Sequence, residues 1–318
     1  MVFRLAFYRT VLTGFIVSFF ILSATAQRQK VWLDADTGNE VDDVFAIVRL
    51  LWANDEKDIM GLSSAHFNNA DLVAFEKWNQ YTTPGINTVR ISQGLNEEIL
   101  TTMGLVNLPH PMGADRQMGR AWGGFQPRSS AATTELLRII KALKPGEKLD
   151  ILTIGATTNI ASLIALDSTV KAKIRLYSLG GGYDQTRRAW NKNEFNVRCD
   201  LNAYDFLMNQ TGLDWTVMTT STAVSYKVER DDFFIKLADD RPTEQLMEQR
   251  WRETEATSTS RVLWDVALVQ AYLRPNLAEI ITIQTPPENH LHTVKIWSKI
   301  DARGMYNEFW QQVERHRK

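Results

Sequence analysis

Five carboxylates fall within the eleven residues of LDADTGNEVDD, Leu33 to Asp43. Acids this crowded repel one another unless a positive charge sits among them or water screens them. An apolar run, Lys30 to Leu33, leads into the stretch, and an amphipathic segment, Val44 to Leu51, leads out. Asp34 and Asp36 therefore leave the carboxyl end of a strand, where alternate side chains share a face. Gly38 and Asn39 make a turn, and Asp42 and Asp43 open a helix. A first-turn acid is favoured by the helix dipole, so capping accounts for Asp42 or Asp43. It does not account for Asp34 and Asp36 converging on the same turn. A hard cation does, because Ca²⁺ takes several carboxylate and carbonyl oxygens in a flexible shell. The spacing is not that of an EF-hand, whose sixth and twelfth loop positions, counted from Asp34, hold Asn39 and Phe45 instead of Gly and Glu.

Positioning such a cluster requires a sheet. Short β-branched runs at Val31–Leu33, Ile59–Ser64, Thr88–Ser92, Leu149–Ile154, Ile174–Leu179 and Trp215–Thr219 are expected as buried strands. Helical spacing occupies Asp42–Trp52, Ala70–Gln80, Ala131–Leu143, Asn159–Ala165 and Ala203–Asn209. This alternation predicts an α/β fold, a single domain with a mainly parallel central sheet flanked by helices. Glu279–Gln284 and Val294–Trp297 are expected to add a small C-terminal antiparallel edge. Gly94–Arg128, rich in Gly, Pro and Met, is expected as irregular loop. Lys227–Thr259 is expected as polar helix, and Thr257–Tyr272 carries a strong helical pattern. In an open α/β sheet the ligand binds at the carboxyl ends of the strands, where the acids lie.

The first 26 residues resemble a secretory signal. Arg4 and Arg9 precede an apolar Val11–Leu22, and Ala24-Thr25-Ala26 is a small-x-small cleavage pattern. The apolar stretch is short for a membrane span. Mature protein is then expected over 27–318, periplasmic or secreted, with no membrane attachment once the signal is cleaved. Its loss removes two arginines and no acid, so a formal charge of −1 becomes −3. That balance offers no electrostatic case for nucleic acid. Cys199 is the only cysteine, so stability rests on a core without an internal disulfide.

Several motifs in order resemble the nucleoside hydrolases, the inosine/uridine-preferring family. They are the strand–Asp-x-Asp–turn–Asp-Asp opening, Gly61–Asn68, Gly155–Ala161 (GATTNIA), Gly180–Gly182, Glu194-Phe195-Asn196 with Asp200, and Trp264-Asp265. Phosphatases of the haloacid dehalogenase type share an Asp-x-Asp after the first strand but lack the following Asp-Asp pair. The family likeness covers most of the mature chain. It implies Ca²⁺-dependent hydrolysis of the N-glycosidic bond of ribonucleosides, purine-leaning, to ribose and free base. It also implies a homodimer or homotetramer.

Carried over by position, the resemblance implies a Ca²⁺ shell of Asp36, Asp43, Asp265 and the backbone carbonyl of Ile154, with Asp36 also the general base. Asp34 would support its neighbours. Asp42, Asn68, Glu194 and Asn196 would bind the ribose, and Trp264 the base. Asp265 has apolar neighbours in Val262, Leu263, Val266, Leu268 and Val269, among which an unpaired carboxylate is costly. Members that prefer inosine and uridine carry a histidine before this last aspartate. Trp264 instead resembles the purine-specific members, in which stacking on the base assists its departure. A second aromatic wall is expected from Trp122 or Trp190. The turn between Asp36 and Asp42 is longer than in short-turn members and adds Glu40, which could substitute for Asp42 in the sugar shell but has no assigned role. His66 is read as a polar loop residue. The alternatives are action on another N-riboside, or a non-catalytic member that binds a ribosyl ligand or Ca²⁺.

Overall fold

A computed structural model describes residues 28–68, 85–120 and 122–318. The segment 1–26 and the expected helix Ala70–Gln80 lie outside the described residues. In chain order the elements are β1 (Gln29–Ala35), α1 (Asp42–Leu51), β2 (Lys57–Ser64), α2 (Thr88–Thr102), α3 (Ala131–Ala142), β3 (Leu149–Thr153), α4 (Thr158–Leu166) and β4 (Ile174–Leu179). A small hairpin, β5 (Gly182–Asp184) and β6 (Ala189–Asn191), leads to α5 (Phe195–Cys199), α6 (Leu201–Met208), β7 (Trp215–Met218) and α7 (Thr220–Ala223). Then come β8 (Lys227–Glu229), α8 (Arg230–Phe234), α9 (Pro242–Thr254), β9 (Ser260–Val262), α10 (Trp264–Leu273), β10 (Ala278–Gln284), β11 (Thr293–Ile300) and α11 (Ala302–Arg317).

Seven strands form one sheet in the order β10-β11-β7-β4-β3-β1-β2. Every neighbouring pair is parallel except β10 with β11, the expected antiparallel edge. Because both faces are covered, the strands alternate between two apolar layers rather than between core and water. Val31, Leu33 and Ala35 of β1 join the layer under α1, α9, α10 and α11, whereas Trp32 joins the layer under α3, α4 and α6. The strand order reverses at β1 and β3, so a crevice opens between their carboxyl ends. Among the described residues no helix is long and apolar enough to cross a membrane.

Three local expectations change. Thr88–Ser92 opens the helix α2 instead of forming a strand. Its β-branched residues mimic a strand over five positions, but Asn87 caps the segment by accepting from Arg90 N at 3.2 Å. Burial of Thr88, Val89, Ser92, Asn96, Ile99 and Leu100 continues a helical stripe well past that window. Irregular chain therefore starts at Met103 rather than Gly94. Residues 260–262 form a short strand paired with β8, and the helix begins only at Trp264.

Candidate active site

The acidic stretch lies where the fold opens. Asp34 lies one residue before the end of β1, beside β3, and Ile154 N donates to Asp34 O at 2.9 Å. Asp36 follows in the loop, and Asn39 N donates back to its carbonyl at 2.8 Å, closing the turn. Gly155 leaves room for this approach: an added Cβ would stand 2.7 Å from the Asp36 carboxyl. Asp42 and Asp43 sit in the first turn of α1, but neither caps it, since Val41 holds that position without a side-chain bond. Asp42 instead caps its neighbour, accepting from Asp265 N of α10 at 2.9 Å through Oδ2. The amino ends of α1 and α10 thus meet at the acids, and their dipoles favour the negative charge.

A cavity of ≈ 420 Å³ opens here. Asp36, Asp43, Ile154, Glu194, Asn196, Trp264 and Asp265 line it, together with Asn39, Glu40, Phe195, Leu179 and Val224. Two nominated residues do not line it. The Asp42 carboxylate is committed to Asp265 N and to Arg261 Nη2 at 3.3 Å. Asn68 donates to Asp115 O at 2.7 Å and accepts from Thr88 Oγ1 at 2.5 Å, so its amide ties loops together. Asn196 Nδ2 donates to the Ile154 carbonyl at 2.8 Å, leaving that oxygen a second lone pair. Glu194 caps α5, accepting from Asn196 N and Val197 N, and also from Gly181 N, each at 3.1 Å.

Electrostatics show how strained this wall is. Burial first, and then the Asp43, Glu40 and Glu194 carboxylates, hold the Asp36 carboxyl well above the usual range. Asp43 and Asp265 are raised likewise, by burial and then by neighbouring acids. Burial pushes Asp34 up to about 6, against hydrogen bonds from Ser63 and Asn159. It pushes Glu194 up to about 7 despite its three backbone donors. Buried oxygens Asp34 Oδ2, Asp36 Oδ2 and Asp43 Oδ1 have no hydrogen-bond partner. A buried polar atom left unpaired costs roughly 1–3 kcal/mol, more when charged. Among the described residues no three His, Cys, Asp or Glu side chains are already drawn together as a metal cluster. The donor chemistry nonetheless fits a hard cation, because orphaned carboxylate oxygens and a carbonyl border one cavity.

Two arginines distant in sequence belong to the site, and nothing in the local sequence marked them. Arg261 of β9 is ion-paired with Glu40, Asp42 and Glu255. Arg250 of α9 donates to Gly38 O at 2.8 Å and to Glu40 O at 3.3 Å. The aromatic wall also differs from expectation. Trp122 is 82 % exposed, and Trp190 lines a separate groove beside β10, bonding Gln284 O. Phe195 is the described ring that shares the cavity with Trp264. His66 is buried away from the cavity. Its Nε2 meets Thr158 Oγ1 at 2.8 Å, and Thr158 donates to Asp200 at 2.6 Å. Burial lowers its pKa to about 4, so it is a neutral member of a structural chain.

A parallel sheet's switch point that holds crowded carboxylates against aromatic rings belongs to an α/β enzyme acting on a small polar molecule. Residues 31–316 match the family model described as inosine-uridine preferring nucleoside hydrolase, and the chain belongs to that family. It is accordingly a nucleoside hydrolase, cleaving the N-glycosidic bond of ribonucleosides. Solved structures show the same fold. An inosine-guanosine nucleoside hydrolase aligns with a TM-score of 0.68 at 17% identity, covering 90% of this chain and 99% of its own. A plant nucleoside hydrolase aligns at 0.65 and 17% identity, covering 89% and 98%. A purine-preferring ribonucleoside hydrolase from Gardnerella vaginalis aligns at 0.63 and 17% identity, covering 90% and 98%. No curated protein matches the chain.

Proposed function

We propose that this chain is an exported, Ca²⁺-dependent nucleoside hydrolase that favours purine nucleosides, and that Asp36 is its general base. The observation that carries the proposal is the set of buried carboxylates left without partners at one cavity wall. Asp36, Asp43, Asp265 and the Ile154 carbonyl would hold the cation. When bound, Ca²⁺ supplies the positive charge these acids lack and makes a nearby water easier to deprotonate.

The side chains do the rest. Asp36, with Oδ2 unengaged, takes the proton of the attacking water. As the bond to the base breaks, positive charge grows on the sugar, and the carboxylate wall stabilises it. Asn196 holds the Ile154 carbonyl in place and, with Glu194, borders the sugar side of the cavity. Asp42 supports Asp265 through its amide. Trp264 and Phe195, with Leu179 and Val224, are the apolar groups of the same cavity and are assigned to the base. No histidine lines the cavity among the described residues, so departure of the base relies on stacking.

Preference is tested by assaying inosine, guanosine, uridine and cytidine with Ca²⁺. Purine nucleosides are expected to give the higher kcat/KM, and equal or pyrimidine-favouring values overturn the preference. Base–aromatic stacking contributes about 1–3 kcal/mol. Trp264→Ala is therefore expected to lower kcat/KM for inosine by about tenfold more than for uridine. Equal losses would remove Trp264 from the base slot. Export is tested by N-terminal sequencing of the protein released from cells, for which Gln27 is the expected first residue.

A further inference from the structure

The long turn places in the cavity wall one acid, Glu40, that takes no part in the proposed cation shell or in base catalysis. Glu40 lines the cavity, and its side chain remains 32% exposed there. Its Oε2 is held by Arg261, while Oε1 has no hydrogen-bond partner among the described residues. Its backbone is fixed as well, because Arg250 binds both Gly38 O and Glu40 O. Asp42, two residues on, is fully buried and has both oxygens committed. Glu194 already accepts from three backbone amides, two on Oε2 and one on Oε1. Asp36, Asp43 and Asp265 are the acids offered to the cation.

We infer that Glu40, oriented by Arg261, is the carboxylate that accepts a hydrogen bond from a ribose hydroxyl, the task that Asp42 cannot perform from its buried place. The inference rests on the nucleoside-hydrolase reading and deepens it. The Arg261 guanidinium holds one Glu40 oxygen and brings a positive charge beside the carboxylate, so the other oxygen is a pre-aimed acceptor. The two-way clamp by Arg250 and Arg261 means little ordering is left for substrate binding to impose. Glu40 is then a substrate-binding residue, and Arg261 a positioning residue that acts through it.

The test compares inosine with 2′-deoxyinosine and 3′-deoxyinosine, as substrates or, where turnover is below detection, as competitive inhibitors. Losing a charge-assisted hydrogen bond costs roughly 10- to 100-fold. Glu40→Gln is expected to lower kcat/KM for inosine by about that factor. The penalty for one of the two deoxy analogues should shrink in step, with Ca²⁺ affinity by calorimetry unchanged. Arg261→Lys keeps the charge but loses the guanidinium's bridge across Glu40, Asp42 and Glu255, and should give a smaller loss with the same narrowing of discrimination. Unchanged discrimination against both deoxy analogues in Glu40→Gln would overturn the inference, even with activity reduced. If the wild-type protein hydrolyses none of the three, the hydrolase reading itself fails and takes this assignment with it.

Discussion

Asp36→Asn lowers kcat for inosine by about 10³-fold, in the middle of the range for loss of a general base. The side chain is nearly isosteric, and its surroundings explain why so small a change matters. The Asp36 carboxyl is buried against Gly155 with Oδ2 unengaged, so it is available both to a cation and to the proton of water. An amide offers neither the charge nor the basicity. The same change relieves repulsion with Asp43, Glu40 and Glu194, which raise the Asp36 carboxyl's pKa. The variant is therefore expected to be at least as stable as the wild type when Ca²⁺ is chelated. Activity and stability should move in opposite directions, which separates a functional acid from a structural one. A variant that loses both together in chelator would place Asp36 in the scaffold instead.

Ca²⁺ is expected to raise the melting temperature, and more at pH 8 than at pH 5. The sign follows from the raised carboxyls. Asp34 rises to about 6 from 3.8, and Glu194 to about 7 from 4.5. A carboxyl whose folded pKa is raised binds its proton more tightly when folded. Its stabilising protonation is complete below the unfolded value and is lost as pH climbs through the folded one. Without a cation, the folded state therefore weakens between about pH 4 and pH 7 as these buried carboxyls ionise. Asp36, Asp43 and Asp265, raised by burial and then by neighbouring acids, add repulsion to that cost. A divalent cation relieves that repulsion and competes with the protons, so its effect grows with pH. At 100 times its Kd it adds about 2.7 kcal/mol. For a chain of this size that is on the order of 4–5 °C. Differential scanning fluorimetry with EDTA or Ca²⁺ at the two pH values reads this directly. A shift that is absent, or larger at pH 5, contradicts the cation's place among the acids.

Much of the scaffold was legible because its signal is local. Each parallel strand announces itself as a short apolar or β-branched run, as in Leu149–Ile154, and the C-terminal hairpin as two such runs in succession. The same rule misread Thr88–Ser92, where a cap at Asn87 and a stripe reaching Leu100 outweigh local β propensity. The candidate site divides along the same line. Asp36, Asp43, Glu194, Asn196, Trp264 and Asp265 belong to compact motifs, and the fold brings them to one cavity. Which acid faces the cavity and which is buried was not legible. That depends on Arg261, 221 residues from Glu40, and on the helix cap that Asp42 provides to α10. Neither pairing leaves a mark on sequence spacing. Choosing the second aromatic wall failed for a related reason. Trp122 and Trp190 are large rings in loops, but loop direction is set by tertiary contacts such as Trp190 to Gln284 O.

The central claim is that the carboxylate wall hydrolyses an N-glycosidic bond with water as the nucleophile. Its most direct test incubates purified protein with inosine in Ca²⁺ and phosphate-free buffer, and quantifies hypoxanthine and reducing sugar together. Equal amounts of free base and ribose, abolished by EDTA and restored by Ca²⁺, are the predicted result. Intact inosine, or cleavage only when phosphate is supplied, would contradict the account.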